Sequence, residues 1–258
     1  MAWYKTWWAR PILLGLFVIV MALTFFRGVP ETRLQWFVAL GGGLFMAIML
    51  WKISDYQRDE VRDLARKMGW QHEEYLPPDM LAVAGQFRLL SLDSEFAQAL
   101  TNTSLNPLIS VQPGLRTVLF DGTFPGMSHA SIVWFTCDDL SLPSFSLEPE
   151  VPGDLGQIFA AWAGDQDIDF DDDPEFSRRC LLKGKEEAAI RTLFNPILRG
   201  FIVKRWPSAI PALEGNGKHL LFCWPNKKIG SEVSKAPGLV NEAREVLQAL
   251  VQACTPAS

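Results

Sequence analysis

The chain has 258 residues, 48% of them hydrophobic, and a formal net charge of −5 at pH 7. Residues 1–54 hold five Lys or Arg and one acid, whereas the remainder holds 19 basic and 28 acidic residues. This acidic balance argues against nucleic-acid binding, which depends largely on basic groups that release counterions from phosphates.

Two uncharged apolar runs near the N-terminus predict a transmembrane hairpin over residues 1–54. They are PILLGLFVIVMALTFF at Pro11–Phe26, of 16 residues, and LQWFVALGGGLFMAIMLW at Leu34–Trp51, of 18 residues. A helix needs roughly 17–25 residues to cross a bilayer, so the predicted spans cover about residues 9–26 and 34–53. Five of the ten tryptophans lie at the ends of these spans, where the headgroup region favours amphipathic rings.

The basic residues around the spans predict their orientation. The connecting loop holds Arg27 and Arg33, whereas five basic residues follow the second span: Lys52, Arg58, Arg62, Arg66 and Lys67. The positive-inside rule therefore places both termini in the cytosol. A cleaved signal peptide is the competing interpretation of the first run, but no small-x-small cleavage site follows it.

Small residues recur in the second span, where Ala39, Gly43 and Ala47 are each four positions apart. Small residues at this spacing let two helix backbones approach closely and pack. They predict either packing of the two spans against each other or oligomerisation through this face.

The helical pattern continues beyond the second span and predicts a stalk helix over residues 55–69. Val61, Leu64, Ala65 and Met68 recur on one face of this segment, and Gly69 is a typical helix stop. A cytosolic domain over residues 70–258 is expected to follow.

The first half of the cytosolic domain is predicted to be rich in strands. Asp79 is expected to cap a short helix, and residues 91–116 are polar and show no regular period. Three strands follow at residues 117–124, 129–137 and 144–150, the first two around a PGMS turn, and they predict an antiparallel meander. A short helix is predicted next, over residues 154–164.

The second half of the domain predicts a strand at residues 178–184 and a helical stretch over residues 185–205 that is interrupted at Pro196. Two short strands flank a turn at Glu214–Gly217, and a C-terminal helix runs from Gly238 to Cys254. Strands and helices in this order predict an α+β fold, with helices packed on an antiparallel sheet. The four cysteines form no C-x-x-C pair and are expected to be free, buried thiols.

Six aspartates crowd residues 165–173 and form a candidate metal site: Asp165, Asp167, Asp169, Asp171, Asp172 and Asp173. An EF-hand is excluded, because counting from Asp165 puts Phe170 and Phe176 where glycine and a bidentate glutamate are needed. The favoured interpretation is an extended segment that buries Ile168 and Phe170, with its acids facing water or the nearby Arg178 and Arg179. A divalent-cation site and an acidic patch for a partner are the alternatives.

No complete catalytic motif occurs in the sequence, and neither catalytic residues nor a cofactor are predicted. The glycines of GNGKH (Gly215–His219) fail the spacing of a phosphate-binding loop and predict a hairpin turn instead. Asp121, His129 and Ser131 lie close along one predicted hairpin and are the basis of a hydrolase hypothesis.

Three blocks, LPSFSLEPE, DIDFDDDPEFSRRCLLKGKEEAAIRTLFNP and LEGNGKHLLFCWP, resemble an uncharacterised family of bacterial membrane-anchored proteins over roughly residues 117–225. The resemblance is carried by Leu142, Pro143, Phe145, Leu147, Pro149, Glu150, Ile168 to Asp171, Pro174 to Arg178, Leu193, Phe194 and Pro196. The chain departs from the family pattern at Cys180, where an aromatic residue is expected. The resemblance implies a cytosolic α+β domain at the bacterial inner membrane and assigns no activity.

These observations favour a membrane-anchored, non-enzymatic interaction or scaffold protein that binds a protein partner or a second copy of itself, and not nucleic acid. The alternatives are a ligand- or divalent-cation-responsive membrane-tethered module and a membrane-tethered hydrolase.

Overall fold

A computed structural model describes Gly43 and residues 59–91, 106–124, 127–149, 167–207, 210–225 and 233–254. The chain divides into two units, Met1–Glu60 and Val61–Ser258, and the description below concerns the second. Ala39, Ala47 and nearly all of both predicted spans lie outside the described residues, while Gly43 is helical and half-buried. Within the described ranges, no helix combines the length and the apolar character needed to cross a membrane.

Helix α1 comprises residues 59–68 and ends at Gly69, where the sequence predicts the end of the stalk helix. Gly69 has a φ of 68°, in the left-handed region that favours glycine after a helix. Leu64 and Ala65 are buried in the main hydrophobic core, so this part of the helix packs on the domain.

Eight strands form one antiparallel sheet with the order β1-β2-β3-β4-β8-β7-β5-β6. Their bounds are β1 Gln71–His72, β2 Leu108–Gln112, β3 Leu115–Phe124, β4 Met127–Cys137, β5 Leu142–Pro149, β6 Cys180–Lys183, β7 Ala212–Gly217 and β8 His219–Pro225. The predicted meander is wrong, because β4 pairs with β8 and β5 pairs with β7 and β6. The β7–β8 hairpin thus lies between two strands that are consecutive in the chain.

The β3–β4 hairpin forms as predicted, with Thr117 opposite Phe135 and Asp121 opposite Ser131. Strand β2 pairs with β3 in the stretch for which the sequence shows no regular period. Strand β1 adds only two residues at the edge of the sheet.

The turn of the β7–β8 hairpin lies later in the chain than predicted. Gly217, at the end of β7, has a φ of 56° and makes the left-handed step, and Asn216 pairs with His219 across the hairpin. Glu214 is therefore not in the turn but inside a strand, where it pairs with Leu221.

The other described helices are α2 Pro78–Ala84, α3 Arg88–Ser91, α4 Pro174–Arg179, α5 Glu187–Leu193, α6 Pro196–Arg205 and α7 Ala236–Cys254. The break at Pro196 and the C-terminal helix agree with the sequence prediction. The predicted capping role of Asp79 is wrong, because α2 begins one residue earlier at Pro78 and has no side-chain cap. Asp79 instead forms an ion pair with Arg116. The predicted helix over residues 154–164 lies outside the described residues.

Helices cover both faces of the sheet, which confirms the α+β fold with helices on an antiparallel sheet. On one face, Leu119, Val133 and Phe222 belong to the large core that also contains apolar residues of α4 to α7. On the other face, Val118, Ile132 and Trp134 pack with α2 and α3. None of the four cysteines, all of which the structure describes, forms a disulfide; Cys137, Cys180 and Cys223 are buried and Cys254 is half-buried.

Candidate functional site

The aspartate-rich segment buries its two apolar residues, as predicted. Ile168 and Phe170 are both in the large core, and Phe170 lies edge-on to Phe176. The backbone of Asp167 forms an isolated antiparallel β-bridge with that of Lys183 at the edge of the sheet. The Oδ1 of Asp167 accepts a hydrogen bond from the Leu182 amide at 3.2 Å. The segment is thus attached to the sheet through backbone and side chain.

Arg199 on α6 holds the aspartates that follow. Its Nη2 donates to Asp172 Oδ2 at 2.6 Å, and its Nε donates to Asp173 Oδ2 at 3.1 Å. Its Nη1 donates to the Phe194 carbonyl at 3.0 Å, and the guanidinium lies 4.0 Å from the centre of the Phe170 ring. We refer to these five residues as the Arg199 cluster.

The Arg199 cluster corrects the predicted partners of the aspartates. Arg179 donates to the carbonyls of Val203 and Trp206 and pairs with Glu175, so it is engaged elsewhere. Asp173 has a second role, because its Oδ1 caps α4 by accepting the Phe176 amide at 3.1 Å. The two acids are therefore held by a residue that follows them by more than twenty positions in the chain.

The aspartate segment does not form a group of metal ligands in the described part of the chain. There, no three His, Cys, Asp or Glu side chains are grouped to hold an ion. Asp169 offers its backbone carbonyl to Arg191 at 2.7 Å, and Asp171 lies in the turn before α4. Asp165 lies outside the described residues, so a site formed by all six aspartates stays a prediction.

The hydrolase hypothesis has two of its three side chains in contact. Ser131 Oγ donates to Asp121 Oδ1 at 3.0 Å across the β3–β4 pair, and Ser131 is fully buried. The side chain of His129 lies outside the described residues. A catalytic role for this trio stays a prediction.

A polar cleft of about 370 Å³ opens on the α2–α3 side of the sheet. It lies between the turn that joins α2 to α3 and the ends of β5, β6 and β7. The polar side chains that define it are Arg88, Ser144, Ser146, Lys183, Lys185 and Glu214. The strand register brings three of these side chains together, because Ser146 of β5 pairs with Lys183 of β6 on one side and with Glu214 of β7 on the other.

Glu214 anchors α3 to the sheet at the cleft. The side chain is 4% exposed, and its two carboxylate oxygens accept the backbone N–H groups of Arg88 at 3.0 Å and Leu89 at 2.9 Å. Burial raises the pKa of Glu214 to about 8, although both N–H donors favour the ionised form. Burial thus favours the protonated form of Glu214, while the two N–H donors fix its carboxyl group at the start of α3.

Glu148 lies two residues further along β5 than Ser146, on the same face of the sheet. It is 2% exposed, and its Oε1 has no hydrogen-bond partner among the described residues. Burial raises the pKa of Glu148 to about 8, and nearby Glu214 adds to this rise while Lys183 and Arg88 oppose it. Its charge is thus left without a direct counterion in the described part of the chain.

Close packing leaves no room for a side chain at Gly184, which lines the cleft. A Cβ there would lie 2.5 Å from the Ser144 carbonyl oxygen and would also meet the Ile190 side chain. The end of β6 therefore approaches β5 closely, which brings Lys183 and Lys185 to the rim of the cleft.

Buried ionisable groups with strongly raised pKa values, next to a cleft with several polar side chains, are a recognised mark of functional sites. Two carboxyl groups that hold protons at neutral pH can donate as well as accept hydrogen bonds. The basic side chains at the rim add positive charge. The cleft is therefore suited to binding a polar ligand.

Sequence reasoning missed both glutamates. Alternation in SFSLEPE predicts that Glu148 faces water, and the glycines after Glu214 suggest a turn. One signal was present: HLLFCW in β8 is apolar on both faces, which is typical of a strand covered on both sides. A glutamate on the strand next to it is then expected to be buried.

Comparisons with known proteins add little to this site. No family model matches the chain, and no curated protein matches it. The crystal structure of the mycobacterial trehalose monomycolate transport factor A, TtfA, is similar with a TM-score of 0.47 and 10% sequence identity. That similarity covers 75% of this chain and 95% of the other.

Proposed function

We propose that this chain is a membrane-anchored, non-enzymatic binding protein whose α+β domain takes a small polar ligand in the polar cleft. The observation that carries the proposal is the buried carboxyl pair Glu148 and Glu214 beside that cleft, of which Glu148 Oε1 has no hydrogen-bond partner among the described residues. Leaving a buried polar atom unsatisfied costs about 1–3 kcal/mol, so such an arrangement is retained where it serves binding. The volume of the cleft, about 370 Å³, is within the range of small-molecule sites.

The membrane part of the proposal is supported by the sequence of residues 1–54. Two uncharged runs with tryptophans at their ends and basic residues after the second run favour two spans with both termini in the cytosol. The resemblance to bacterial membrane-anchored proteins favours the inner membrane. The domain would then meet its ligand close to the bilayer surface.

A ligand screen on the full-length protein in nanodiscs tests the cleft. Anionic, neutral and cationic small molecules are compared by thermal shift for the parent and for Ser144→Trp, which places an indole at the mouth of the cleft. Ser141→Trp is the matched control, because Ser141 is also exposed and does not line the cleft. We expect some compounds to stabilise the parent and the control but not Ser144→Trp. Identical responses of all three proteins contradict the proposal.

A protein partner is the second candidate function, and a groove between α6 and α7 favours it. The groove has a volume of about 430 Å³ and is lined by Ile197, Phe201, Ala249 and Ala253 among others. Ile197 is 85% exposed, which is unusual for a large apolar side chain. A groove between two helices fits an amphipathic helix of a partner protein, with its apolar face on Ile197 and Phe201.

Crosslinking of the full-length protein in native membranes, followed by mass spectrometry, tests the partner. We expect crosslinks from α6 and α7 to one reproducible protein, and their loss in Ile197→Asp. Thr192→Asp on the exposed surface of α5 is the control. Crosslinks that persist in Ile197→Asp argue against the groove. Crosslinks within the second span, between copies, support self-association through Ala39, Gly43 and Ala47 instead.

A further inference from the structure

We propose that the polar cleft binds the phosphate group of a small molecule or lipid headgroup, with Lys183, Lys185 and Arg88 supplying the positive charge. This inference rests on the proposed function, because it names the ligand class of the same cleft. The shared chemistry is a phosphate monoester, whether it belongs to a soluble metabolite or to a lipid.

The two lysines of the cleft are available to a ligand. Lys183 and Lys185 both line the cleft, and neither forms an ion pair with an acid in the described part of the chain. Lys183 is half-buried on the edge strand β6, and Lys185 is exposed just beyond its end. Arg88 lies opposite them, at the start of α3, and its charge acts on both Glu148 and Glu214. Basic groups thus approach the cleft from two sides.

Hydrogen-bond donors complete the lining. Ser144 and Ser146 on β5 bring hydroxyl groups, and Asn216 brings a side-chain amide that is held by Gln86 Oε1 at 3.3 Å. A phosphate group has several strong acceptor oxygens and carries about −1.5 to −2 charges at pH 7. Its oxygens can therefore use more than one cation together with several donors, as this lining supplies.

The two buried glutamates do not oppose an anion at neutral pH. Burial raises the pKa of each to about 8, so both are mostly protonated there and leave the net charge of the lining positive. Above pH 8 both ionise, which places one negative charge in the lining, on Glu214, and a second nearby on β5, on Glu148. The other ionisable groups near them are Lys183, Arg88 and the buried thiol of Cys223, whose pKa is raised to about 12 by burial. Phosphate affinity is therefore expected to fall between pH 6.5 and 9, although the phosphate itself becomes more charged.

Calorimetry on the full-length protein in phosphatidylcholine nanodiscs tests the inference, with inorganic phosphate and glycerol 3-phosphate as probes. We expect saturable binding, at least about tenfold weaker in Lys183→Gln/Lys185→Gln, since each substitution removes a charge-assisted hydrogen bond to the phosphate. Lys204→Gln, an exposed lysine of α6 outside the cleft, is the matched control. Lys183→Arg/Lys185→Arg keeps both charges and is expected to retain binding, which separates lost charge from lost folding.

A second arm identifies the source of the phosphate. Nanodiscs that contain phosphatidic acid are expected to compete with glycerol 3-phosphate if the ligand is a headgroup, and to have no effect if it is soluble. The inference is overturned if neither probe binds saturably, or if the double glutamine variant binds as well as the parent. If compounds that depend on Ser144 turn out to be neutral or cationic, the proposed function stands and this inference fails. If no compound depends on Ser144, both fail.

Discussion

The Arg199 cluster and the polar cleft both bury ionisable side chains, and they differ in how each charge is compensated. Arg199 is 3% exposed and meets two carboxylates, one carbonyl and one aromatic face. Glu148 and Glu214 are as deeply buried, yet neither forms an ion pair with a described residue. In the Arg199 cluster the buried cation is paired with carboxylates, whereas burial favours the neutral, protonated form of the two glutamates beside the polar cleft.

Burial alone therefore does not indicate the role of a charged residue. A buried ion that is fully paired has no remaining capacity for a ligand, so the Arg199 cluster is a structural joint between the aspartate segment and α6. Carboxyl groups that are left without counterions respond to protons and to nearby ligands, as expected for a binding cleft.

Removing the cation should have the largest effect on stability. Arg199→Met removes three charge-assisted hydrogen bonds, to Asp172, Asp173 and the Phe194 carbonyl, and is expected to lower the free energy of unfolding by about 3–5 kcal/mol. Urea unfolding of the full-length protein in detergent micelles, followed by circular dichroism, measures it. Arg199→Lys keeps the charge but loses the forked guanidinium geometry, so its free energy of unfolding should lie between those of the parent and Arg199→Met. A loss below about 1 kcal/mol in Arg199→Met would show that the Arg199 cluster does not stabilise the joint between the aspartate segment and α6.

Glu148→Gln should have the next largest effect, in the opposite direction, and only at high pH. In the folded protein the pKa of Glu148 is raised from 4.5 to about 8, so between these values the folded state holds a proton that the unfolded state has lost. The free energy of unfolding of the parent therefore falls as the pH rises through this window. Glutamine cannot ionise, so we expect Glu148→Gln to be more stable than the parent by about 2–4 kcal/mol at pH 9 and equal to it near pH 4.

The same urea unfolding, repeated at pH 4, 6.5 and 9, checks this prediction. Glu175→Gln is a suitable control, because Glu175 is an exposed glutamate of α4. A stability difference between Glu148→Gln and the parent that does not change with pH would show that the pKa of Glu148 is the same in the folded and unfolded states.

Glu214→Ala is expected to cost about 1–3 kcal/mol, because the amides of Arg88 and Leu89 lose their shared acceptor. Glu214→Gln keeps one acceptor oxygen and should lose less at neutral pH. Hydrogen exchange of the Arg88 and Leu89 amides gives a local readout of this anchor. Unchanged protection of both amides in Glu214→Ala would contradict it.

Asp172→Asn should have the smallest effect. Asp172 is 64% exposed, so solvent screens its pair with Arg199, and the expected loss is about 0.2–1 kcal/mol in urea unfolding. Asp173 is less exposed, so solvent screens its pair with Arg199 less, and Asp173→Asn should lose more; asparagine can keep the cap of α4, so the difference reports the ion pair. Equal losses in the two variants would mean that exposure does not set the strength of these pairs.

Local sequence patterns predicted those parts of the fold that depend on neighbouring residues. The β3–β4 hairpin follows from alternation on either side of a short turn, and the break between α5 and α6 follows from Pro196. The burial of Ile168 and Phe170 follows from a period of two within the aspartate segment. Each of these depends on a single stretch of chain.

Features that depend on distant residues could not be predicted in this way. The pairing of β4 with β8 joins strands far apart in the sequence, and nothing in either strand specifies the other. Arg199 looked like one basic residue of an ordinary helix, because its aspartate partners lie on another element. Glu148 looked solvent-facing because the ionisable groups near it, such as Glu214 and Arg88, lie on other elements. The cleft was missed for the same reason.

The insertion of the β7–β8 hairpin between β4 and β5 has a consequence for synthesis of the protein. A ribosome releases β3 and β4 well before β8, so the inner edge of β4 has no partner while the intervening chain is made. At roughly 5–20 residues per second this lasts for several seconds, during which an apolar strand edge is open to aggregation. Holding the nascent domain at a surface, or shielding that edge with a chaperone, would favour correct folding. Truncation before β8 should leave the N-terminal half unable to complete its sheet.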